Sequence, residues 1–472
     1  MRLVSSVSGD NESRAKAAEV LRETRLRQPS SAASSGSLAL TFQIGQAKHV
    51  HAGMRPANHK NPLAAARRIA NSKSPMKLNC ILAVALVANV SVAFSIPPAP
   101  ITVTGLVDDG STVNTKAIQA AIDRCAANGG GILVIPKGGY VSGALFLKPR
   151  VNLELAAGTV LMASTNIADF PTLPHVRFEG HFQEHATSLL NVDGCDGFRL
   201  SGPGMLDGNG PAYWKAKLPL GRPRLCEVVN SKDVVVSGVS FLNSPSWNLH
   251  FYNCQDCLVE DCRFKARGPS TDGTDIDSSQ NITVKGCHYA VHDDCVCLKG
   301  NRYDGLDQKP PSPPVENIHV TDCTFADGMG ALVLGTEATV IHGVQFDNST
   351  VQGNMPMLRI KLRPDTAGQD YSEIHVHAIK LDGRGKILSL EPTHGTKVPP
   401  DKAAHGKVSN VIVEDISGHF GSFGKFSGAI TNVRDITLRN IHVTVSGNPN
   451  LDADKVVDLK MENVKVSAAE TP

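Results

Sequence analysis

The chain of 472 residues carries 47 Lys and Arg, 45 Asp and Glu and a formal charge of +2 at pH 7, so it is nearly neutral as a whole. The charge is unevenly distributed, because residues 1–93 hold 13 basic and 4 acidic residues whereas the remainder holds 34 and 41. A mildly acidic body argues against nucleic acid as a partner, and the length alone leaves the number of domains open.

The basic excess lies in a leader, residues 1–75, that is rich in Ser, Ala and Arg. An apolar run from Ile81 to Val92 follows, and small residues come next. This order is typical of a secretory signal peptide over residues 76–95, cleaved near Ala93 to Ser95, and the run is too short for a membrane span. We therefore expect Met76 to be the natural start, the leader to be non-native or disordered, and the protein to be secreted or periplasmic. An organelle transit peptide is the alternative.

A short helix and several strands are predicted after this segment. Between Asn114 and Ala127 the apolar residues recur at helical spacing, and three glycines at 129–131 end the pattern. Runs of β-prone residues follow at 132–135, 143–147, 151–155 and 159–162.

A seven-residue pattern then recurs six times along the chain. It begins with Asp or Asn, continues with β-prone residues and ends with Val, Ile or Cys, and it starts at Asp233, Asp256, Asn281, Asn317, Asn410 and Asp435. The first four starts are separated by 23, 25 and 36 residues, and the last two by 25. A β unit that recurs on this period predicts a solenoid, in which each coil packs against its neighbours. The longest interval contains a Pro-rich stretch at 304–314, which we interpret as an inserted loop.

The repeat also bears on the cysteines. The chain has 11 cysteines, of which Cys80 falls in the predicted signal peptide, and the even number that remains is compatible with disulfides in an exported protein. However, Cys262, Cys287 and Cys323 occupy the repeat position that holds Val239 in an earlier coil. Such residues fill a core as small apolar groups, so we favour mostly free, buried thiols over a disulfide framework.

Three aspartates fall one repeat period apart. Asp272 is followed 21 residues later by the adjacent pair Asp293 and Asp294. In a solenoid, residues one period apart lie on the same face, so the three carboxylates should converge. Carboxylates with different environments can act as proton donor and base, which is the chemistry of glycoside hydrolysis. The alternative is that the aspartates mark turns.

Five motifs resemble the polygalacturonases of glycoside hydrolase family 28 over about residues 100–460. They are Ser201–Gly210 (SGPGMLDGNG), Ser270–Asp275 (STDGTD), His292–Cys295 (HDDC), Asp327–Gly330 (DGMG) and Arg359–Lys361 (RIK). The resemblance implies an all-β fold: a single-stranded right-handed parallel β-helix of the pectin lyase type over residues 96–472, with a short N-terminal capping helix.

The resemblance also implies a role for each matching residue. Asp293 would be the general acid of an inverting hydrolysis, and Asp272 and Asp294 would hold and activate the attacking water. Arg359 and Lys361 would bind the carboxylate of the sugar beside the scissile bond.

Three further residues are candidates for substrate binding. Met329 stands where members of the family usually carry His, which leaves the specificity open. His250 and His292 could face the cleft from neighbouring coils, although an ordinary surface or packed histidine is the alternative for both.

The sequence therefore predicts an exported, monomeric hydrolase that cleaves α-glycosidic bonds of galacturonate-containing pectin without a metal or organic cofactor. We expect no nucleic-acid or membrane partner. An exo-acting mode and a rhamnogalacturonan-type specificity are open. A Ca²⁺-dependent pectate lyase and a non-catalytic carbohydrate-binding solenoid are the alternatives from other classes.

Overall fold

The computed structural model describes residues 99–300, 313–335, 337, 340–391, 406–426 and 432–469. The predicted leader, the predicted signal peptide and most of the Pro-rich insert lie outside these residues. Within them, no helix is long and apolar enough to cross a bilayer.

The described chain forms one α-helix, two short 3₁₀ helices and 35 strands. Helix α1 spans Thr115–Ala127, and the 3₁₀ helices span Ile167–Asp169 and Gly210–Ala212. The strands β1 to β18, in chain order, are Ile101–Thr102, Gly131–Ile135, Gly138–Ser142, Leu145–Phe146, Val151–Leu155, Thr159–Ala163, Thr172–Phe178, His181–Ala186, Leu190–Asp193, Arg199–Ser201, Met205–Asp207, Cys226–Val229, Val235–Ser237, Ser240–Leu242, Leu249–Tyr252, Gln255–Glu260, Arg263–Lys265 and Thr274–Asp277. Strands β19 to β35 are Gln280–Lys285, His288–Ala290, Asp294–Lys299, Val315–Thr321, Thr324–Asp327, Gly330–Leu334, Val340–Asp347, Thr350–Val351, Leu358–Lys361, Asp370–His377, Lys380–Asp382, Lys386–Glu391, Lys407–Phe420, Ser422–Lys425, Asn432–Val445, Leu451–Asp452 and Val457–Ala468.

Most strands belong to two long parallel sheets that wind around one core. The front sheet has 11 strands, in the order β4, β9, β12, β15, β18, β21, β24, β27, β30, β32 and β34. The back sheet has 22 strands and supplies the other walls of each coil. Because each front strand pairs in parallel with the front strand of the next coil, the chain is a parallel β-helix. The predicted fold class is confirmed.

The repeated Asp and Asn residues occupy positions of left-handed backbone in or beside strands of the back sheet. The backbone φ is positive at the first residue of all six repeats, with values of +53° to +58° at Asp233, Asp256, Asn281, Asn317, Asn410 and Asp435. Asn and Asp tolerate this left-handed conformation better than other residues with a side chain. The side chains also stack: the amide of Asn281 donates to Asp256 at 2.7 Å, and that of Asn317 donates to Asn281 at 3.0 Å.

The core confirms the predicted thiol positions. The strand pairings bring Cys262, Cys287 and Cys323 into one row that continues from Val239. All ten cysteines of the described chain are free and buried. A second row contains stacked aromatic rings with centroids 4.8 to 5.3 Å apart, from Phe264, Tyr289 and Phe325. Each coil is therefore held by its neighbours through apolar stacks.

Helix α1 covers the N-terminal coil, as predicted. Its apolar residues Ile118, Ala121, Ile122 and Cys125 are buried in the core. Asn114 precedes the first turn, and its side chain accepts a hydrogen bond from the Val107 N–H at 2.8 Å.

Strands β7 and β8 form an antiparallel hairpin that the sequence pattern did not predict. It is a third sheet, separate from the two long ones. An ion pair between Arg177 on β7 and Asp277 on β18 fixes this hairpin on the front sheet.

Candidate active site

The first two carboxylates of the site come from the beginnings of neighbouring front strands. Asp272 lies two residues before β18, and Asp294 is the first residue of β21. These strands pair in parallel, so their beginnings lie side by side. Both side chains are buried, with Asp272 3% and Asp294 1% exposed. Oxygens of the two carboxylates and the sulfur of Cys297 lie within 4.8 Å of one another.

Asp293 lies in a bend immediately before β21 and is half-buried. Consecutive residues on a strand point to opposite sides, so the bend is what allows Asp293 and Asp294 to reach the same place. The carbonyl of Asp293 accepts the Met329 N–H at 2.9 Å. A Cβ atom on Gly328 would lie 2.6 Å from the Cys295 sulfur and 3.0 Å from the Asp293 carbonyl, so the close approach of these two segments requires glycine.

Two cations hold Asp294. The Lys361 ammonium contacts Oδ2 of Asp294, and Nη1 of Arg359 lies 3.3 Å from Oδ1. Arg359 also pairs with Glu391 at 2.8 Å. Burial alone would raise the pKa of Asp294, but the charges of Lys361, Lys299 and Arg359 outweigh it and lower the pKa. Asp294 is therefore ionised at neutral pH.

Lys299 is a buried member of the site that sequence analysis did not single out. Its Nζ atom lies 3.1 Å from Asp272 and 3.4 Å from Asp275, and 4.4 Å from the centre of the Trp247 ring. Burial raises the pKa of Asp272 well above its usual range, and the charges of Asp275 and Asp294 add to this effect although Lys299 opposes it. One signal was available in the sequence. Lys299 lies two residues after Cys297, so in a strand both side chains point to the same side of the sheet.

The structure brings most of the predicted residues together. The group contains Asp272, Asp293, Asp294, Arg359, Lys361 and Met329, with the exposed His292 beside Asp293. Met329 is 46% exposed, and its carbonyl accepts a hydrogen bond from Nη1 of Arg359 at 3.2 Å. Its backbone therefore links the bend at Asp293 to the arginine.

His250 is not brought to the surface of the site. It is fully buried, with Nδ1 3.4 Å from Glu227 and Nε2 3.7 Å from Asp277. Burial opposes ionisation of Glu227, but the charges of Arg224 and His250 lower its pKa to about 2. His250 thus belongs to a buried polar network and does not contact the exposed groove.

The β7–β8 hairpin covers the front sheet next to Lys299. Arg177, on β7, donates to both carboxylate oxygens of Asp277 at 2.8 and 3.1 Å, and to the Gly300 carbonyl at 2.6 Å. Its guanidinium lies 4.9 Å from the centre of the Tyr252 ring. Asp277 and Lys299 are register partners in the parallel pairing of β18 with β21. The hairpin therefore covers the front sheet at the ends of β15, β18 and β21.

A groove of about 650 Å³ lies on the opposite side of the carboxylates, toward the C-terminal coils. Among the residues that line it are Met329, Arg359, Arg384, Lys386, Ser389 and Glu391. The front sheet is thus covered by the hairpin beside Lys299, with a cavity of about 410 Å³ between the hairpin and the N-terminal front strands, and it is grooved toward the C-terminal coils.

A parallel β-helix with clustered carboxylates and cations on one face defines the fold and site of a carbohydrate-active enzyme. The family model of Glycosyl hydrolases family 28 matches residues 125–470. The chain belongs to this family and is a glycoside hydrolase.

Individual relatives agree with this assignment. A Vitis vinifera protein named "Probable polygalacturonase" is 34% identical over 209 residues, which cover 41% of this chain and 43% of that protein, so the match spans less than half of that relative. The endo-polygalacturonase of Pectobacterium carotovorum subsp. carotovorum is 28% identical over 79% of this chain and 89% of that protein. The crystal structure of an exopolygalacturonase from Thermotoga maritima is similar with a TM-score of 0.69 and 20% identity, covering 78% of this chain and 92% of that chain. The fold is thus the right-handed β-helix of these enzymes.

Proposed function

We propose that this chain hydrolyses the α-glycosidic bonds of polygalacturonate in pectin with inversion at the anomeric carbon. The observation that carries the proposal is the position of Asp294, which lies between Lys361 and Arg359 and beside Asp272. Carboxylates adjacent to two cations suit an anionic sugar whose glycosidic bond is to be cleaved by acid and base catalysis.

In the proposed reaction Asp293 donates its proton to the glycosidic oxygen as the bond from this oxygen to the anomeric carbon breaks. A water held by Asp272 and Asp294 attacks the anomeric carbon from the opposite face and forms the new carbon–oxygen bond. The proton of this water passes to Asp294, whose lowered pKa makes it an available base. Arg359 and Lys361 hold the carboxylate of the sugar next to this bond.

We further propose an exo-acting mode. The comparisons include relatives of both modes and do not decide between them. The support comes from the hairpin, because Arg177 covers the front sheet beside Lys299 while a groove continues on the other side of the carboxylates. A polymer with one end at the carboxylates and its remainder in the groove fits this arrangement.

Export of a monomeric protein is part of the same proposal, and its support is the sequence alone. Cleavage near Ala93 to Ser95 predicts an exported protein that begins close to these residues. N-terminal sequencing of protein recovered outside the cytoplasm tests this, and a retained leader would contradict it.

A Ca²⁺-dependent lyase is the second candidate, because Asp272, Asp294 and Cys297 could together surround a cation. Their chemistry argues against it. Ca²⁺ prefers oxygen ligands, whereas Cys297 offers a thiol and each carboxylate is already paired with a lysine.

Product analysis on polygalacturonate, rhamnogalacturonan and short oligogalacturonides tests the proposed function. We expect saturated products from polygalacturonate, with the anomer inverted when observed by NMR during turnover. Reducing ends should accumulate with little early loss of viscosity, since an exo-acting enzyme shortens chains from one end. Unsaturated, ultraviolet-absorbing products that disappear on chelation would identify a lyase instead.

A further inference from the structure

Two exposed cations in the groove have no role in the proposed reaction. Arg384 lies two residues before β30, and Lys386 is the first residue of β30. Both side chains are exposed and line the same groove as Arg359 and Met329. They belong to the coil that follows the one carrying Arg359, since β27 and β30 are neighbours in the front sheet.

These cations differ from the other basic groups near the site in their pairing. Arg359 is held by Asp294 and Glu391, and Lys361 is held by Asp294. Among the described residues, Arg384 and Lys386 form no ion pair and no side-chain hydrogen bond. Two unpaired positive charges beside one another repel, so their placement in a groove favours a negatively charged occupant.

The geometry of the sheet relates these charges to a polymer. Neighbouring coils are separated by roughly 4.8 Å, the spacing of hydrogen-bonded strands. Polygalacturonate carries one carboxylate on every sugar, so a chain that runs along the groove presents carboxylates to successive coils. Cations occur in that order, first at Arg359 and Lys361 and then at Arg384 and Lys386.

We propose that Arg384 and Lys386 form a second carboxylate-binding subsite, which takes a uronate one step farther from the scissile bond than the sugar held by Arg359 and Lys361. This inference rests on the proposed function and specifies which part of the substrate the groove recognises. Ser389 and Glu391 line the same groove, where they pair in register with Arg359 and Lys361, and they can hydrogen-bond sugar hydroxyls. The subsite selects de-esterified pectin, because a methyl ester removes the charge that the two cations recognise.

The test compares ligand binding with and without these cations. Asp293→Asn serves as the parent so that ligands stay intact, and the affinity for tetragalacturonide and for its methyl ester is measured by calorimetry. Adding Arg384→Gln and Lys386→Gln should weaken binding of the acid by about 10-fold or more, because charged hydrogen bonds are lost. Binding of the ester should change less than about 2-fold. The matched control adds Arg263→Gln and Lys380→Gln, two exposed residues on the back sheet, and should bind like the parent.

Turnover by the otherwise unmodified enzyme gives a second measurement. On polygalacturonate, Arg384→Gln with Lys386→Gln should raise KM much more than it lowers kcat, as expected for a contact made equally in the ground and transition states. Affinity for the acid within about 2-fold of the parent, or equal losses for acid and ester, would overturn the subsite. Absence of saturated products from the unmodified enzyme would instead overturn the proposed function, so the two failures are distinguishable.

Discussion

Asp272 and Asp294 are identical residues whose carboxylates approach within 4.8 Å, yet their environments act in opposite directions. Burial raises the pKa of Asp272, and the charge of Lys299 opposes this effect without overcoming it. Burial also acts on Asp294, but there Lys361, Lys299 and Arg359 together lower the pKa. Two carboxyl groups whose pKa values are shifted in opposite directions can hold a water while only one of them is ionised at neutral pH.

Asp293→Asn tests the proton donor. Asparagine keeps the shape of the side chain but has no acidic proton to give, so turnover of polygalacturonate should fall by about 10²- to 10⁴-fold. Substrate affinity should change much less. The matched control is Asp261→Asn, an exposed residue at a bend on another part of the coil, which should leave kcat unaltered. Nearly full turnover by Asp293→Asn would reject the assignment of the acid.

Lys299→Met tests whether the buried lysine helps to keep the proposed base, Asp294, ionised. Lys299 is one of the cations that lower the pKa of Asp294, so its removal raises that pKa and a higher pH is required to ionise this carboxyl. The acidic limb of the pH profile of kcat/KM should therefore move up by about 1–3 pH units.

Two variants distinguish this effect from simple damage to the fold. Lys299→Arg retains the charge and should return the limb toward its original position, and Lys380→Met on the back sheet should not move it. A lower kcat for Lys299→Met with an unmoved limb would mean that Lys299 only supports the structure.

At the scale of elements, the hairpin covers the front sheet beside the site. Arg177 on β7 reaches Asp277 on β18, 100 residues away, and both side chains are almost completely buried. Arg224 reinforces the contact by donating to the Arg177 carbonyl at 2.6 Å. Burial opposes ionisation of Asp277, but the neighbouring His250 and the bonds from Arg177 lower the pKa. The hairpin is thus attached to the front sheet by a buried, charged contact.

Arg177→Met should detach the hairpin. The change leaves the Asp277 carboxylate buried without its main partner, which costs about 3–5 kcal/mol for a buried ion pair. We expect the released sheet face to admit longer chains, so products should shift from short oligomers toward a mixed, endo-type distribution. Chromatography of early products measures this shift, and limited proteolysis within 172–186 measures the release of the hairpin.

The matched control for that variant is Arg199→Met. Arg199 pairs with Asp233 at 3.0 Å on the surface, and an exposed pair contributes only about 0–1 kcal/mol. Its products and protease sensitivity should match those of the unmodified enzyme. An unchanged product distribution from Arg177→Met with a demonstrably released hairpin would contradict the exo explanation.

At the scale of the whole molecule, stability comes from coils that stack on one another. The thiols of Cys262, Cys287 and Cys323 are part of this stack and do not pair covalently. A repeat of this kind has strong contacts only between neighbouring coils, so the core must be continuous to be stable. Free thiols in a protein expected to be exported therefore act as small apolar residues.

Unfolding should consequently be independent of reductant. The denaturation midpoint with and without dithiothreitol should agree, because the cysteines of the described chain form no disulfide that could be reduced. The ten cysteines of the described chain should resist alkylation in the native protein and react fully after denaturation. Disulfide-linked peptides in a non-reducing digest would contradict the free-thiol core.

The sequence alone determined the features that are periodic or local. The six repeats predicted the solenoid, because each Asp or Asn start occupies a backbone position with positive φ that recurs in the coils. The shared position of Cys262 and Val239 predicted buried thiols, since a stack demands similar residues in every coil. The 21-residue step from Asp272 to Asp293 predicted a common face for the same reason.

Only the tertiary structure decided the features that join distant or non-repeating segments. The repeat pattern of the sequence does not predict the pairing of Arg177 with Asp277 or the burial of Lys299. Each depends on how an insertion packs against another coil. His250 has the spacing of a cleft residue, but Glu227, Asp277 and Trp247 enclose it. The repeat period determines which residues share a face of the β-helix. The exposure and the ion pairs of their side chains depend on the segments that cover that face.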